Sequence, residues 1–172
     1  MIRPTTADDW RDVRALRLEM LRDTPKAYLE TLEHALHLAE AEWRIRGERG
    51  TSSSGTSLVA IDPAGRWVGT MGVWIRDPAA APLLVGVYVA PSHRGRDAGV
   101  ADALLDAIEQ WARRRSDSLR LLVHEKNDRA RAFYQRRGYG LTGRTEPYAL
   151  EPTERELEMM RELGTAPAGA HR

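Results

Sequence analysis

The 172-residue sequence predicts an α/β (α+β) fold, a partly parallel sheet covered by helices. The opening part of the chain places apolar residues at helical spacing. The middle changes to short apolar runs set apart by Pro- and Gly-containing breaks, the mark of strands. Beyond it the order is strand, loop, helix, strand, helix. Such an order needs crossover connections and so parallel strands, with ligands expected at the strands' carboxyl ends.

The elements follow in turn. Residues 2–3 end a short first strand, and Asp8 or Asp9 is placed to cap the next helix. Trp10, Val13, Arg14, Leu16, Leu18 and Leu21 form its mixed stripe, which Pro25 breaks. A second helical stretch runs over residues 29–46, with Leu32, Leu36, Ala39 and Trp43 on one face. Residues 47–55, GERGTSSSG, read as a mobile loop. Strands at 58–61 and 67–75 flank the turn DPAGR and make a hairpin, and RDPAAAP is a second break ending at Pro82. Residues 83–89 are an apolar strand stopped at Pro91. After a loop rich in Gly and Arg comes a helix whose buried face is Val100, Leu104, Ala107, Ile108, Trp111 and Ala112. Residues 119–123 are extended, 128–137 are helical with Gly138 as the stop signal, and 139–142 are extended again. Leu157 and Met159 lie on alternate positions, with Arg161 and Leu163 continuing the series, so the last element reads as a strand, although composition allows a helix. The expected organisation is one domain over residues 1–163 and a disordered tail over 164–172.

Composition excludes several function classes. Without cysteine there is no disulfide frame, thiolate zinc site or cysteine nucleophile. Twenty-six basic residues against 25 acidic ones, interspersed, leave a formal charge of +1 and argue against a nucleic-acid partner. His34, His37 and His93 form no metal-ligand spacing with a carboxylate, so no metal is expected. The start, MIRPTTADDW, lacks the apolar core of a signal peptide, and no uncharged run is long enough to span a membrane. The expectation is a cytoplasmic protein with no membrane partner.

The chemistry-bearing segment begins with VYVAPSHRGRDAGVADALL, residues 87–105. A strand runs into a loop that opens a helix. Unpaired N–H groups and a partial positive charge collect at a helix start, glycines let that backbone approach an anion, and Arg94 and Arg96 add charge. This describes a pyrophosphate site built from main chain. It lacks the Gly-Lys-Ser/Thr of a P-loop and the glycine spacing of a dinucleotide fold. The second segment, VHEKNDRARAFYQRRGY, follows a strand directly. Asn127 can cap the helix from Asp128, Ala130 permits close approach, and Tyr134 offers a phenol.

Together these segments resemble the GNAT superfamily of N-acetyltransferases. The loop is similar to its coenzyme A motif, Gln/Arg-x-x-Gly-x-Gly/Ala. Counted from Pro91, Arg94 takes the arginine position and Gly99 the last, with Asp97 in place of a glycine. Counted back from the helix, Arg96, Gly99 and Ala101 match throughout and Leu104 falls on the helix leucine, so this register is preferred and the loop is longer than usual. The second segment resembles Asn-x-x-Ala-x-x-Phe-Tyr-x-x-x-Gly-Phe/Tyr at Asn127, Ala130, Phe133, Tyr134, Gly138 and Tyr139. The likeness is densest over residues 83–143.

The resemblance implies a mixed, mostly antiparallel central sheet with two splayed parallel strands, flanked by helices. It implies acetyl-CoA as cosubstrate, bound by Val87, Tyr88, Val89, Arg94, Gly95, Arg96, Gly99, Val100, Ala101, Asn127, Ala130 and Tyr134. It implies direct attack of an amine, of a small molecule or peptide, on the thioester, without an acyl-enzyme. Tyr134 would protonate the leaving thiolate. An alkyl amine costs roughly 4 kcal/mol to deprotonate at pH 7, so a base or water relay is expected, with Glu125, His124, Glu30 and Glu33 as candidates. The acceptor would meet residues 21–33 and 142–151, with Trp67, Trp74 and Tyr148 as walls; Glu30, Glu33 and Glu146 would favour a cationic amine. A homodimer is compatible with this picture. The alternative is a catalytically weak or inactive acyl-CoA-binding protein with a structural or sensory role, for which Asp97 and the lengthened loop speak.

Overall fold

Each apolar run expected to be extended is a strand in the computed structural model, which describes residues 1–25 and 27–164. The strands are β1 (Ile2–Pro4), β2 (Gly55–Ile61), β3 (Trp67–Trp74), β4 (Leu83–Val89), β5 (Ser118–His124), β6 (Gly140–Tyr148) and β7 (Glu151–Glu162). The helices are α1 (Trp10–Asp23), α2 (Leu32–His37), α3 (Glu40–Glu48), α4 (Val100–Ala112) and α5 (Asp128–Arg136). The strands form one seven-stranded sheet in the order β1-β2-β3-β4-β5-β7-β6. The pairs β1/β2, β2/β3, β5/β7 and β6/β7 are antiparallel, whereas β4 and β5 run parallel. The parallel ladder is confined to Leu83↔Arg120 and Leu84↔Leu121. This is the mixed, mostly antiparallel sheet that the resemblance implied. The tail expected over 164–172 lies outside the described residues, apart from Gly164.

The described residues group into two compact units. The first comprises Met1–Trp74 and Val85–Ile108. Here Leu18, Leu21, Ala35 and Trp43 make a buried cluster, with Trp10, Val13, Tyr28, Leu32 and Leu38 packed on it. Asp9 stands at the start of α1 but does not cap it; its carboxylate accepts from the Thr6 N–H at 2.8 Å and from both outer nitrogens of Arg3. The helix expected over 29–46 is broken. Leu38 and Ala39 are extended, and the Glu42 carboxylate accepts from the Ala39 N–H at 2.9 Å to start α3 afresh. The break turns Leu38 inward and leaves Leu36 exposed, because two short helices hold separate stripes. The stretch 47–55, expected as a mobile loop, is the end of α3, a 3-10 turn and the start of β2. A Cβ on Gly47 would lie 2.2 Å from the Thr6 carbonyl oxygen, and one on Gly50 would lie 2.1 Å from that of Thr5. The Thr5 hydroxyl donates to Gly47 O at 2.7 Å, and the Thr56 hydroxyl donates to Gly50 O at 3.1 Å. Glycine is what lets these backbones touch.

The second unit comprises Ile75–Leu84 and the chain from Glu109 on. Leu119, Leu121 and Val123 of β5 alternate inward, as a half-buried strand requires, and pair with Arg161, Met159 and Leu157 of β7. The β7 segment is therefore a strand, as its alternation suggested. The extended stretch expected over 139–142 runs on to Tyr148, with shifts of register after Leu141 and Pro147. Gly138 has φ +86 and follows α5 as its stop, where a left-handed residue is needed. Beneath these strands Glu109 is buried and accepts from the Tyr139 hydroxyl at 3.1 Å and from Arg161 at 2.8 and 2.9 Å, with Arg113 and Arg137 nearby at 3.5 Å. A buried carboxylate is stable only when so many donors replace its water.

Candidate active site

In the first unit the chain leaves β4, makes a 3-10 turn at Pro91–His93 and reaches α4. The turn brings Arg94 back onto the strand: its Nε donates to Val89 O at 2.7 Å, its guanidinium pairs with Asp23 at the end of α1, and it lies 5.6 Å from the centre of the Tyr88 ring. Tyr88 is buried and its hydroxyl donates to Glu19 at 3.1 Å. Burial and the Glu19 charge push the phenol far above its ordinary range. Arg94 and Tyr88 are thus committed within the protein, while Arg96 is exposed and forms no ion pair among the described residues. This division favours the register in which Arg96, Gly99 and Ala101 carry the motif. Asp97 and Gly95 are exposed beside Arg96. Gly99 has φ +63 with open space where a Cβ would stand, and its carbonyl accepts from the Ala103 N–H at 2.9 Å to begin α4. The first N–H groups of α4, those of Val100 and Ala101 among them, have no partner within the helix. Exposed arginine, left-handed glycine and helix start together fit a pyrophosphate. On β4, Gly86 has φ +61, a left-handed backbone inside the strand just before Val87.

The acidic candidates of this unit are occupied differently from what the sequence suggested. Glu30 accepts from Arg46 at 2.6 and 2.9 Å and from Arg17 at 2.8 Å. Burial pushes its carboxyl up, but the hydrogen bonds from Arg46 and Arg17 outweigh it and hold the group at about 2. Such a carboxylate has no appetite for a proton at neutral pH, and its charge is spent on arginines rather than offered to a cationic amine. Glu33 is exposed on α2. Tyr28 is half-buried, and its hydroxyl donates to Val87 O at 3.0 Å.

In the second unit Asn127 caps α5, its Oδ1 accepting from the Ala130 N–H at 3.0 Å, as the sequence suggested. Tyr134 is buried on α5 with edge contacts to Phe133 and Tyr139, whose ring centres lie at 5.2 and 5.8 Å. His124 Nδ1 accepts from the Lys126 N–H at 3.2 Å, whereas its buried Nε2 makes no hydrogen bond although Glu154 Oε2 lies 2.7 Å away. Its ring meets Tyr148 edge-on at 4.7 Å. Glu125 accepts from the Arg155 N–H at 2.8 Å. Strand register sets Glu146, Glu156 and His124 in one row across β6, β7 and β5. There burial, then the Glu146 charge, push the Glu156 carboxyl above its ordinary range. Glu156 escaped the sequence reading because only the strand register creates this row.

Among the described residues no group of three or more His, Cys, Asp and Glu side chains is arranged to hold a metal, and no helix is long and apolar enough to cross a membrane. Residues 13–139 match the model of the acetyltransferase (GNAT) family. The chain belongs to the GNAT family. No curated protein matches it. The GNAT fold recurs in a GNAT-family acetyltransferase of Streptococcus pneumoniae, at a TM-score of 0.79 and 18% identity over 95% of this chain and 99% of that one. A GNAT superfamily phosphinothricin acetyltransferase of Sinorhizobium meliloti, solved with acetyl-CoA, is similar at a TM-score of 0.76 and 20% identity, over 100% and 92% of the two chains. A ribosomal-protein-alanine N-acetyltransferase of Brucella melitensis gives 0.75 and 22%, over 94% and 99%. These identities speak for the fold; the family's chemistry is acetyl transfer.

Proposed function

We propose that this GNAT protein is an N-acetyltransferase that moves the acetyl group of acetyl-CoA to the amine of a small molecule or peptide by direct attack. The observation that carries the reading is the joint presence of the loop with exposed Arg96 and left-handed Gly99 and of the Asn127-capped helix bearing Tyr134. The pyrophosphate takes the N–H groups at the start of α4 and the charge of Arg96. The pantetheine arm takes main chain of Val87, Tyr88 and Val89. The amine nitrogen bonds to the thioester carbonyl carbon, a backbone N–H of β4 receives the oxyanion, and the carbon–sulfur bond breaks. Tyr134 gives its proton to the departing thiolate, and the amine's proton leaves to water. Arg94 keeps the loop in place rather than touching phosphate. We read the chain as one working domain.

The test is turnover with a panel of amines that includes an aminoglycoside, phosphinothricin and an alanine-ended peptide. The absence of cysteine lets released thiol be followed without background from the protein. Tyr134→Phe is expected to keep acetyl-CoA affinity, by calorimetry, and to lower kcat by about 10²- to 10⁴-fold. Unchanged kcat from pH 6 to 10, with chemistry rate-limiting, would remove Tyr134 from the mechanism. Binding of acetyl-CoA without turnover across the panel would instead favour the sensory alternative, which Asp97 in the exposed loop supports.

A further inference from the structure

The segment between α1 and α2 is tied to β4 by the Tyr28 hydroxyl, which donates to the Val87 carbonyl oxygen at 3.0 Å. Several groups fix this contact. The Arg17 guanidinium lies over the Tyr28 ring, 4.8 Å from its centre. Arg17 is held in turn by Glu30, whose other oxygen and flank are taken by Arg46. The ring itself packs on the cluster of Leu18, Leu21, Ala35 and Trp43. Burial raises the phenol's pKa, so it stays protonated and remains a donor to Val87 at neutral and mildly alkaline pH. A phenol oxygen that donates its proton still has lone pairs to accept with. Tyr28 is only partly buried.

We propose that Tyr28 seats the acceptor amine: its oxygen, held at Val87, accepts an N–H of the incoming nitrogen and so aims the nitrogen lone pair at a thioester lying along β4. The inference rests on the reading of Val87, Tyr88 and Val89 as the coenzyme strand. Within it, Glu30 is a positioning residue that acts through Arg17. An amine that has shed its extra proton keeps at least one N–H, and fixing that N–H fixes the direction of the lone pair.

The test compares wild type and Tyr28→Phe, which removes one oxygen and leaves the ring packing intact. Calorimetry with acetyl-CoA and steady-state kinetics with whichever panel amine the wild type acetylates are the two readouts. The expected result is an unchanged acetyl-CoA Kd together with a fall of about tenfold in kcat/KM for the amine, the size of one lost hydrogen bond. Glu30→Gln is expected to move the same parameter in the same direction, by less. Unchanged kcat/KM in Tyr28→Phe overturns the inference and leaves acetyl transfer standing. An equal loss of acetyl-CoA affinity also overturns it, since Tyr28 would then serve the coenzyme or the fold. A wild type that binds no acetyl-CoA fails at the calorimetric step, which removes the underlying reading and this inference together. Binding without turnover of any amine overturns the inference as well.

Discussion

Glu30 shows how opposing effects resolve at a single residue. Its side chain is 8% exposed, which by itself would favour the neutral acid, yet two guanidiniums hold it at about 2. Because the folded value lies below the ordinary 4.5, the stabilisation is fully present above pH 4.5 and is lost as pH falls toward 2. Asp9, lowered to about 2 chiefly by its bond from Arg3, adds to the same window. Wild-type urea midpoints should therefore be level from pH 7 to about 5 and drop below that. Glu30→Gln should cost about 3 kcal/mol at pH 7, since Arg17 and Arg46 lose their counter-charge in a largely buried setting, and should lose less on acidification than wild type. A variant as stable as wild type at pH 7 would mean the two arginines find water instead. The sequence could not reveal this pairing. Glu30 lies 13 residues from Arg17 and 16 from Arg46, and only the fold brings the three together. Asn127 was legible for the opposite reason, because a cap and its N–H partner are three residues apart in the chain.

At the scale of elements, strands were easier to read than helix ends. Alternation in β5 and the DPAGR turn between β2 and β3 are local signals, and both gave the right element. The break at Leu38–Ala39 was hidden because alanine and leucine are good helix formers, and tertiary packing of Leu38 overrode their preference. The packed turn at residues 47–51 was hidden because glycine signals both a free loop and a close backbone contact. The two meanings can be separated by experiment. Gly50→Ala would set a methyl 2.1 Å from the Thr5 carbonyl, so it should cost several kcal/mol or abolish soluble expression. Gly65→Ala, in open space but at φ +84, should cost only about 1 kcal/mol. Comparable thermal midpoints for the two variants would show that the turn after α3 shifts freely.

Over the whole molecule, the family was legible from two short motifs, while the acceptor was not. Across a family, motif residues answer to a ligand that its members share. Acceptor residues answer to a variable one through side chains gathered from distant segments. A coenzyme that binds the folded chain and not the unfolded one should stabilise it. At 100 times its Kd, acetyl-CoA should add about 2.7 kcal/mol, raising Tm by roughly 5–10 °C. An unmoved Tm at that concentration would contradict coenzyme binding to the folded chain.

The outermost strand of the sheet has a further consequence. β6 ends the strand order, and its residues from Gly140 to Pro147 are all exposed. An exposed edge of this length is an invitation to strand-by-strand growth into insoluble aggregates. Here the edge is irregular: its register shifts after Leu141 and Pro147, Arg144 and Glu146 bring charge, and Pro147 lacks a donor. The opposite edge, β1, is only three residues long and closes on Pro4. Both rims of the sheet are thus poor templates, and the chain should stay dispersed at concentrations where a smooth rim would precipitate. Replacing Pro147 and Arg144 together by valine should remove that protection, visible as rising light scatter on storage with little change in the thermal midpoint.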